Sequence, residues 1–557
     1  MLNFIIGRNN SGKTEKIRAL IAERASENKK CILIVPEQFS FESERSILEK
    51  IGAQKMLNVD ILSFTRLAFV INEQYGKALN KTIDDGTRKV LMSLSLEALS
   101  GKLEYFKRFS SKPALLSNLL TFVTELKQCA VTPDEIAEIS GKTGNKSLGK
   151  KLSELSLIAA SYDALVSRSF FDDENLLTIA ADMISETDFF DGKAVYFDAF
   201  CGFTKQERNC IKSILPKAEN VFISLCTDRD LSREGVSVFE NVNSEFSHLK
   251  ECAAEQNVGV SSPEILNVKE DGRSPELVYL EKYLCGEESE PYKEECDNIV
   301  VCAAGNRADE ADFVACEIKK LLRCNPTLRC RNIAVIERTA GTYDKELSES
   351  FKKYGVPMFE DKRRPIGIQP VMVFVKCLLA LCAEGFSTES FMRLLKTGLT
   401  ALSGDEISEL ENYAFLWNID GSKWRRDFTE NPDGLGFDVT EKSQEKLIRL
   451  NDIRKRSVLP VLAFKKDFEE ADGEKKSRLI YEFLIKNGVT ERLREKIEYL
   501  VSSGDTVLCE EQDTVWATLM DMLGKMASAI GETVITAKRY CELFNILLSA
   551  VTLGSLP

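Results

Sequence analysis

The stretch that decides the reading of this chain is Leu2-Asn3-Phe4-Ile5-Ile6, followed at once by Gly7-Arg8-Asn9-Asn10-Ser11-Gly12-Lys13-Thr14. Residues 2–6 are a short apolar run, and residues 7–14 match G-x-x-x-x-G-K-[ST] in full. Beyond them, Thr14–Ala25 (TEKIRALIAERA) is amphipathic at helical spacing. Strand, tight loop and helix start is the context in which this octet is a P-loop. The glycines let the backbone curl so that successive N–H groups face phosphate oxygens, and the helix N-terminus adds a favourable dipole. Lys13 is placed to reach the β- and γ-phosphates, and the Thr14 hydroxyl to ligate Mg²⁺. Gly7, Arg8, Asn9, Asn10, Ser11, Gly12, Lys13 and Thr14 are therefore the nucleotide-binding candidates, with ATP and Mg²⁺ as the expected ligands.

Working outward, two further buried strands are expected at Cys31–Val35, ended by Pro36, and at Val59–Ser63. Strand–helix–strand alternation of this kind means a parallel α/β sheet. From Asp84 to Asp188 the periodicity becomes helical, and strands resume at Ala194–Phe197 and Val221–Leu225, so a helical block is inserted between strands of one sheet. An acidic segment follows, Gly286–Asp297 (GEESEPYKEECD), read as a solvated linker. A second α/β pattern then begins, with strands expected at Asn298–Ala303 and Ile333–Ile336 and helices at Ala308–Leu322 and Tyr343–Tyr354. Past Glu384 the pattern is helical to the end.

The acidic partner of a P-loop is a carboxylate ending a short apolar strand, and Ala194-Val195-Tyr196-Phe197-Asp198 supplies it. Asp198 is placed to hold Mg²⁺ through water. The next residues are Ala199-Phe200, so the glutamate that usually positions the attacking water is absent. Binding without appreciable hydrolysis is expected, and no catalytic residue is assigned.

Composition sets the outer bounds. At 557 residues the chain should form several units of about 100–200 residues each. A net charge of −13 argues against a broadly basic nucleic-acid coat, though not against a local channel. The longest greasy stretch, Val371–Ala383, is interrupted by Lys376 and is far short of the ~20 residues that span a bilayer. With no targeting signal, a cytoplasmic protein without membrane contact is expected. Sixteen cysteines are scattered without any C-x-x-C, which reads as buried reduced thiols. Cys324 and Cys330 lack the partners for a metal site, and His248, the sole histidine, lies in a polar stretch.

The chain resembles the B subunit of the bacterial AddAB (RexAB) helicase–nucleases, the AddB family. The resemblance is carried, in order, by GRNNSGKT (Gly7–Thr14), IVPEQFSFESE (Ile34–Glu44), ILSFTRLAF (Ile61–Phe69), YFDAFCGFTKQE (Tyr196–Glu207), RNIAVIERTAGTY (Arg331–Tyr343), YGVPMFEDKRRP (Tyr354–Pro365) and LENYAFLWNIDGSKW (Leu410–Trp424). It implies an α/β, superfamily-one helicase-like architecture of P-loop (RecA-like) motor domains with helical insertions. Residues 1–83 with 190–285 would form the first motor domain and 84–189 its helical insertion. Residues 286–297 would be the acidic linker, 298–385 the start of the second motor domain, and 386–557 its helical insertion. It further implies a heterodimer with an A-type helicase–nuclease subunit, acting on single-stranded and broken-end DNA in double-strand break repair by homologous recombination. Family members run to about twice this length and carry a nuclease domain with a four-iron four-sulfur cluster. The resemblance is thus to their N-terminal portion, and no cluster ligand or nuclease carboxylate is assigned here.

Motor domains of this type grip single strands by the loops after their sheet strands, through amides, hydroxyls and aromatic faces. The matching residues are Gln38, Phe39 and Ser40, then Ser63, Phe64, Thr65 and Arg66, although Phe39 and Phe64 read equally well as core rings. A basic cluster of Lys107, Arg108 and Lys112 beside Tyr105, Phe106 and Phe109 reads equally well as a solvated helix face, and Trp417 and Trp424 as interhelical anchors. Two other readings stay open: an active DNA translocase with its water-positioning group elsewhere, and a P-loop small-molecule kinase.

Overall fold

The computed structural model describes residues 1–76, 83–107, 112–169, 173–227, 238–267, 273–283, 290–359, 363–504 and 506–554. Six strands form one sheet: β1 (Leu2–Gly7), β2 (Cys31–Ile34), β3 (Val59–Leu62), β4 (Ala194–Phe197), β5 (Asn220–Cys226) and β6 (Glu264–Ile265). Their order is β3-β2-β4-β5-β1-β6, with every neighbouring pair parallel. β2 and β4 are buried at every position, as their unbroken apolar runs require of strands covered on both faces. One face packs on the helices Phe64–Tyr75, Asp173–Glu186, Lys205–Ile214 and Glu240–Glu255. The other packs on the helices Lys13–Ser26 and Ser40–Ile51.

The remaining helices build a second, larger core. Helices Asp85–Ala98, Pro113–Gln128 and Lys146–Ser169 bury their apolar faces together with the helices between Pro370 and Ala550. The contact is close: a Cβ on Gly86 would lie 2.5 Å from the Leu547 side chain. Polar ties rim it. Arg539 pairs with Glu97 at 3.0 Å and donates to Ser93 Oγ at 2.9 Å, and Lys525 pairs with Asp84 at 2.7 Å. Within the stretch 84–189, the helix Asp173–Glu186 and Phe189 join the sheet core instead.

Helices Arg307–Cys324 and Asp344–Tyr354 pair around a small core of Ala315, Ile318, Phe351 and Val356. The strands expected at Asn298–Ala303 and Ile333–Ile336 do not form among the described residues. Their runs of β-branched residues suit a strand buried on both faces, which needs neighbours for its backbone groups and cover for its side chains. No strand lies beside them among the described residues, and Val301 and Ile336 are left 93% and 91% exposed. Among the described residues no helix is long and apolar enough to cross a membrane.

The thiols also depart from expectation. All described cysteines are free, and Cys31, Cys210, Cys377, Cys382 and Cys541 are buried. Burial pushes the Cys31 thiol up to about 11 and that of Cys382 up to about 12. Cys129, Cys201, Cys296, Cys302, Cys316 and Cys324 are exposed, however, because their surroundings are loops and polar helix faces.

The contrast between the shared helical core and the uncovered runs is measurable. Leu378→Ala should cost about 2–5 kcal/mol, by lost burial and the cavity left behind. Ile336→Ser should change stability by no more than about 0.5 kcal/mol. Denaturant midpoints of the two variants check both.

Candidate nucleotide site

Because every strand of the sheet runs parallel, all the loops at strand C-terminal ends lie along one edge, the usual ligand side of such sheets. β1 delivers the P-loop there. A side chain at Gly7 would come within 2.8 Å of the Leu266 carbonyl oxygen and overlap Ser11, so only glycine fits. Gly12, at φ +89°, takes the left-handed conformation that turns the loop into the helix Lys13–Ser26. Asn10 is also left-handed, at φ +59°. The Lys13 ammonium folds back across the loop and donates to the carbonyl oxygens of Gly7 and Arg8, both at 2.8 Å. It is thereby held over the backbone cradle, where a phosphate would compete for it. Ser11 Oγ is buried without a hydrogen-bond partner among the described residues, an orphaned donor inside the loop. The Arg8 guanidinium lies 5.5 Å from the Phe239 ring centre and donates to the Glu281 carbonyl oxygen at 3.4 Å.

Asp198 follows β4 directly. It is 5% exposed, and its backbone N–H extends the ladder by donating to the Ile34 carbonyl oxygen at 3.1 Å. Side chains alternate along a strand, so Asp198 shares a face with Ala194 and Tyr196. Those two pack in the core beneath the P-loop helix, with Ile17 and Ile21 of that helix. Thr14 and Asp198 are thus on the same side of the sheet. β5 separates their strands and contributes Ser224, whose hydroxyl donates to Asp198 Oδ1 at 2.5 Å. No group of three or more His, Cys, Asp or Glu side chains suited to a metal occurs among the described residues. A hydroxyl and one carboxylate nevertheless suit Mg²⁺, which takes one or two carboxylates plus substrate phosphates and water rather than an all-protein cage. Ala199, where a water-positioning glutamate would stand, sits at φ +64°, a left-handed conformation costly for any residue with a Cβ.

The other sequence candidates divide. Gln38 and Phe39 after β2, and Thr65 and Arg66 after β3, are exposed on the same edge, while Ser40 is half-buried. Ser63 is buried and caps the helix Phe64–Tyr75, accepting from the Arg66 N–H at 3.2 Å. Phe64 is buried among Phe197, Phe200 and Phe203, at ring distances of 5.9, 5.5 and 6.1 Å. It is a core ring with no free face for a base. Trp424 is fully buried, with Nε1 donating to Thr388 Oγ1 at 2.9 Å, and Trp417 donates to the Asn431 carbonyl oxygen, so both are anchors. Lys107 and Lys112 are exposed, whereas Arg108 and Phe109 lie outside the described residues. His248 is exposed on a helix, and Cys324 is exposed near no metal-ligand cluster among the described residues. Sequence reasoning missed Ser224 and the ring cluster. The spacing of Phe197, Phe200 and Phe203 was a visible signal for the cluster, while nothing in NVFISLC (Asn220–Cys226) marks Ser224.

The sequence is similar to those of known proteins. A family profile described as ADDB, N-terminal, matches residues 4–281. The chain is 29% identical over 572 residues to the B subunit of the ATP-dependent helicase/deoxyribonuclease of Acetivibrio thermocellus. It is 27% identical over 567 residues to the protein so named from Clostridium botulinum, and 28% identical over 573 residues to that from Clostridioides difficile. In each case the match takes in 100% of this chain and 49% of the relative. The chain therefore spans about half the length of these curated relatives.

Backbone strain at residue 199 gives an ordered series. Ala199→Gly should raise stability by up to about 1 kcal/mol, the relief of the left-handed alanine less the entropy glycine loses on folding. Ala199→Val should lower it, and Phe64→Ala should cost about 3–5 kcal/mol as a core truncation. Chemical denaturation of the three variants checks the order.

Proposed function

Because the chain belongs to the AddB family, we propose that it is the nucleotide-binding, helicase-like part of a B-type subunit. Its complex is a heterodimeric ATP-dependent helicase–exonuclease that processes DNA double-strand breaks for homologous recombination. On this reading the sheet body is a RecA-like motor domain of the superfamily-one type, and the partner is an A-type helicase–nuclease subunit. ATP binds on the P-loop with Mg²⁺ held between its phosphates, Thr14 and Asp198. Little of it is hydrolysed.

One observation carries the reading: a complete P-loop shares a sheet edge and a sheet face with a buried carboxylate, and an alanine follows that carboxylate. Hydrolysis needs the γ-phosphate held, the cation fixed and a water oriented for in-line attack. The first two have residues here. Alanine at 199 can neither accept a proton nor hold a water, and loss of such a group typically costs about 10²–10⁴-fold. Single-stranded DNA would run along the same edge, over the exposed Gln38, Phe39, Thr65 and Arg66.

Two measurements test this. A fluorescent ATP analogue should bind the parent chain with Mg²⁺ and should not bind Lys13→Ala, while steady-state turnover stays negligible with or without single-stranded DNA. Robust DNA-stimulated turnover that Lys13→Ala abolishes would make the chain a working motor instead. For the DNA edge, Phe39→Ala should weaken binding of a single-stranded oligonucleotide by about 1–3 kcal/mol with unchanged folding. That affinity should also fall steeply with added salt. Parent-like binding by Phe39→Ala would remove that loop from the DNA path.

A further inference from the structure

β5 is the strand between the P-loop strand and the acidic strand, and its register fixes what it offers to each. Ser224 lies directly opposite Ile5 of β1, and Ile223 opposite Phe197 of β4, so Ser224 is level with Asp198. Alternation puts Ser224 on the same face as Phe222, whose ring stacks on Tyr196 at 5.0 Å in the core beneath the P-loop helix. Ser224 is 3% exposed, and its hydroxyl donates to Asp198 Oδ1 at 2.5 Å.

We infer that Ser224 is a positioning residue for the cation: it fixes the plane of the Asp198 carboxylate so that Oδ2 faces the Mg²⁺ of a bound nucleotide. This rests on the reading of residues 7–14 and Asp198 as a Mg²⁺–nucleotide site. The last torsion of an aspartate is broad and roughly two-fold, so an untethered carboxylate rotates freely between orientations. A hydroxyl anchored on a central strand limits that rotation, since β5 is held by ladders to both neighbours. Residues that orient a metal-ligating carboxylate typically contribute about 10–100-fold to metal affinity. Ser224 touches neither the nucleotide nor the cation, and acts through Asp198.

The test is a Mg²⁺ titration of fluorescent ATP-analogue binding by the purified chain, with a parallel measurement in EDTA. In Ser224→Ala the Mg²⁺ concentration giving half-maximal binding should rise about 10-fold or more. Affinity in EDTA, which reads the P-loop alone, should move less than twofold. Ser224→Thr keeps the hydroxyl and should restore the parent midpoint. Ser224→Cys, nearly isosteric but a weak donor, should behave as Ser224→Ala does and serves if the alanine variant misfolds. In an Asp198→Asn background, Ser224→Ala should add no further shift, because both changes act on one group. A midpoint within twofold of the parent in both the alanine and cysteine variants would overturn the inference and leave the nucleotide reading standing. A parent that binds the analogue with no dependence on Mg²⁺ would instead overturn the role given to Asp198, and the inference with it.

Discussion

Everything at the ligand edge depends on one ladder, the parallel pairing of β5 with β1 on one side and β4 on the other. A parallel sheet has a single C-terminal edge, so the pairing brings together loops that lie far apart in the chain. It also fixes a face. Side chains two apart on a strand point the same way, so the strand parity of Asp198 is set by the same bonds that bury Ala194 and Tyr196 under the P-loop helix. A one-residue slip of β4 would turn Asp198 to the opposite face, among the helices packed there. The hydrogen bond from Ser224 reports that register directly, because it forms only when the two strands are level.

The opposite face of β4 is tied down by rings rather than by polar contacts. Phe197 alternates with Asp198 and points toward Phe64, with Phe200 and Phe203 closing the group. The turn between these anchors is therefore held at both ends: by Asp198 on the face of the P-loop helix and by the ring cluster on the other. Ala199 absorbs the geometry in a left-handed conformation. Strain of this kind persists only where the surroundings over-determine it, and such positions gather at functional sites. The ring cluster also links Asp198 to Thr65 and Arg66 in the first turn of the helix Phe64–Tyr75, because Phe64 immediately precedes them.

The parts legible in the sequence were those fixed by local chemistry. The octet Gly7–Thr14 needs particular residues in a particular order, and the strand ending in Asp198 announces itself by an apolar run and a carboxylate. The helical stretch between β3 and β4 was legible by its period. What was not legible depends on pairing across distance. Strand order is not encoded in any one strand, so Ser224 looked like one polar residue in a buried run until β5 fell between β1 and β4. Phe64 read equally well as a DNA-facing ring and as a core ring, because the cluster that buries it is assembled from residues of a distant strand and its loop. The runs at Asn298–Ala303 and Ile333–Ile336 failed in the opposite sense. They have strand composition, but composition does not supply a neighbour, and a lone strand has nothing to pair with.

The two helical blocks illustrate the same limit on a larger scale, with a mechanical consequence. Three of the six sheet strands, β4, β5 and β6, separate them in the chain, yet they bury their apolar faces in one continuous core. Moving one block against the other would expose side chains such as Leu547, which packs on Gly86, to water, at about 1.5–3 kcal/mol for each fully exposed. A close-packed interior of this size responds as a unit and does not slide continuously. The ion pairs Lys525–Asp84 and Arg539–Glu97 bridge the two blocks and oppose that movement further. A molecule built this way resists large movement of one helical block against the other.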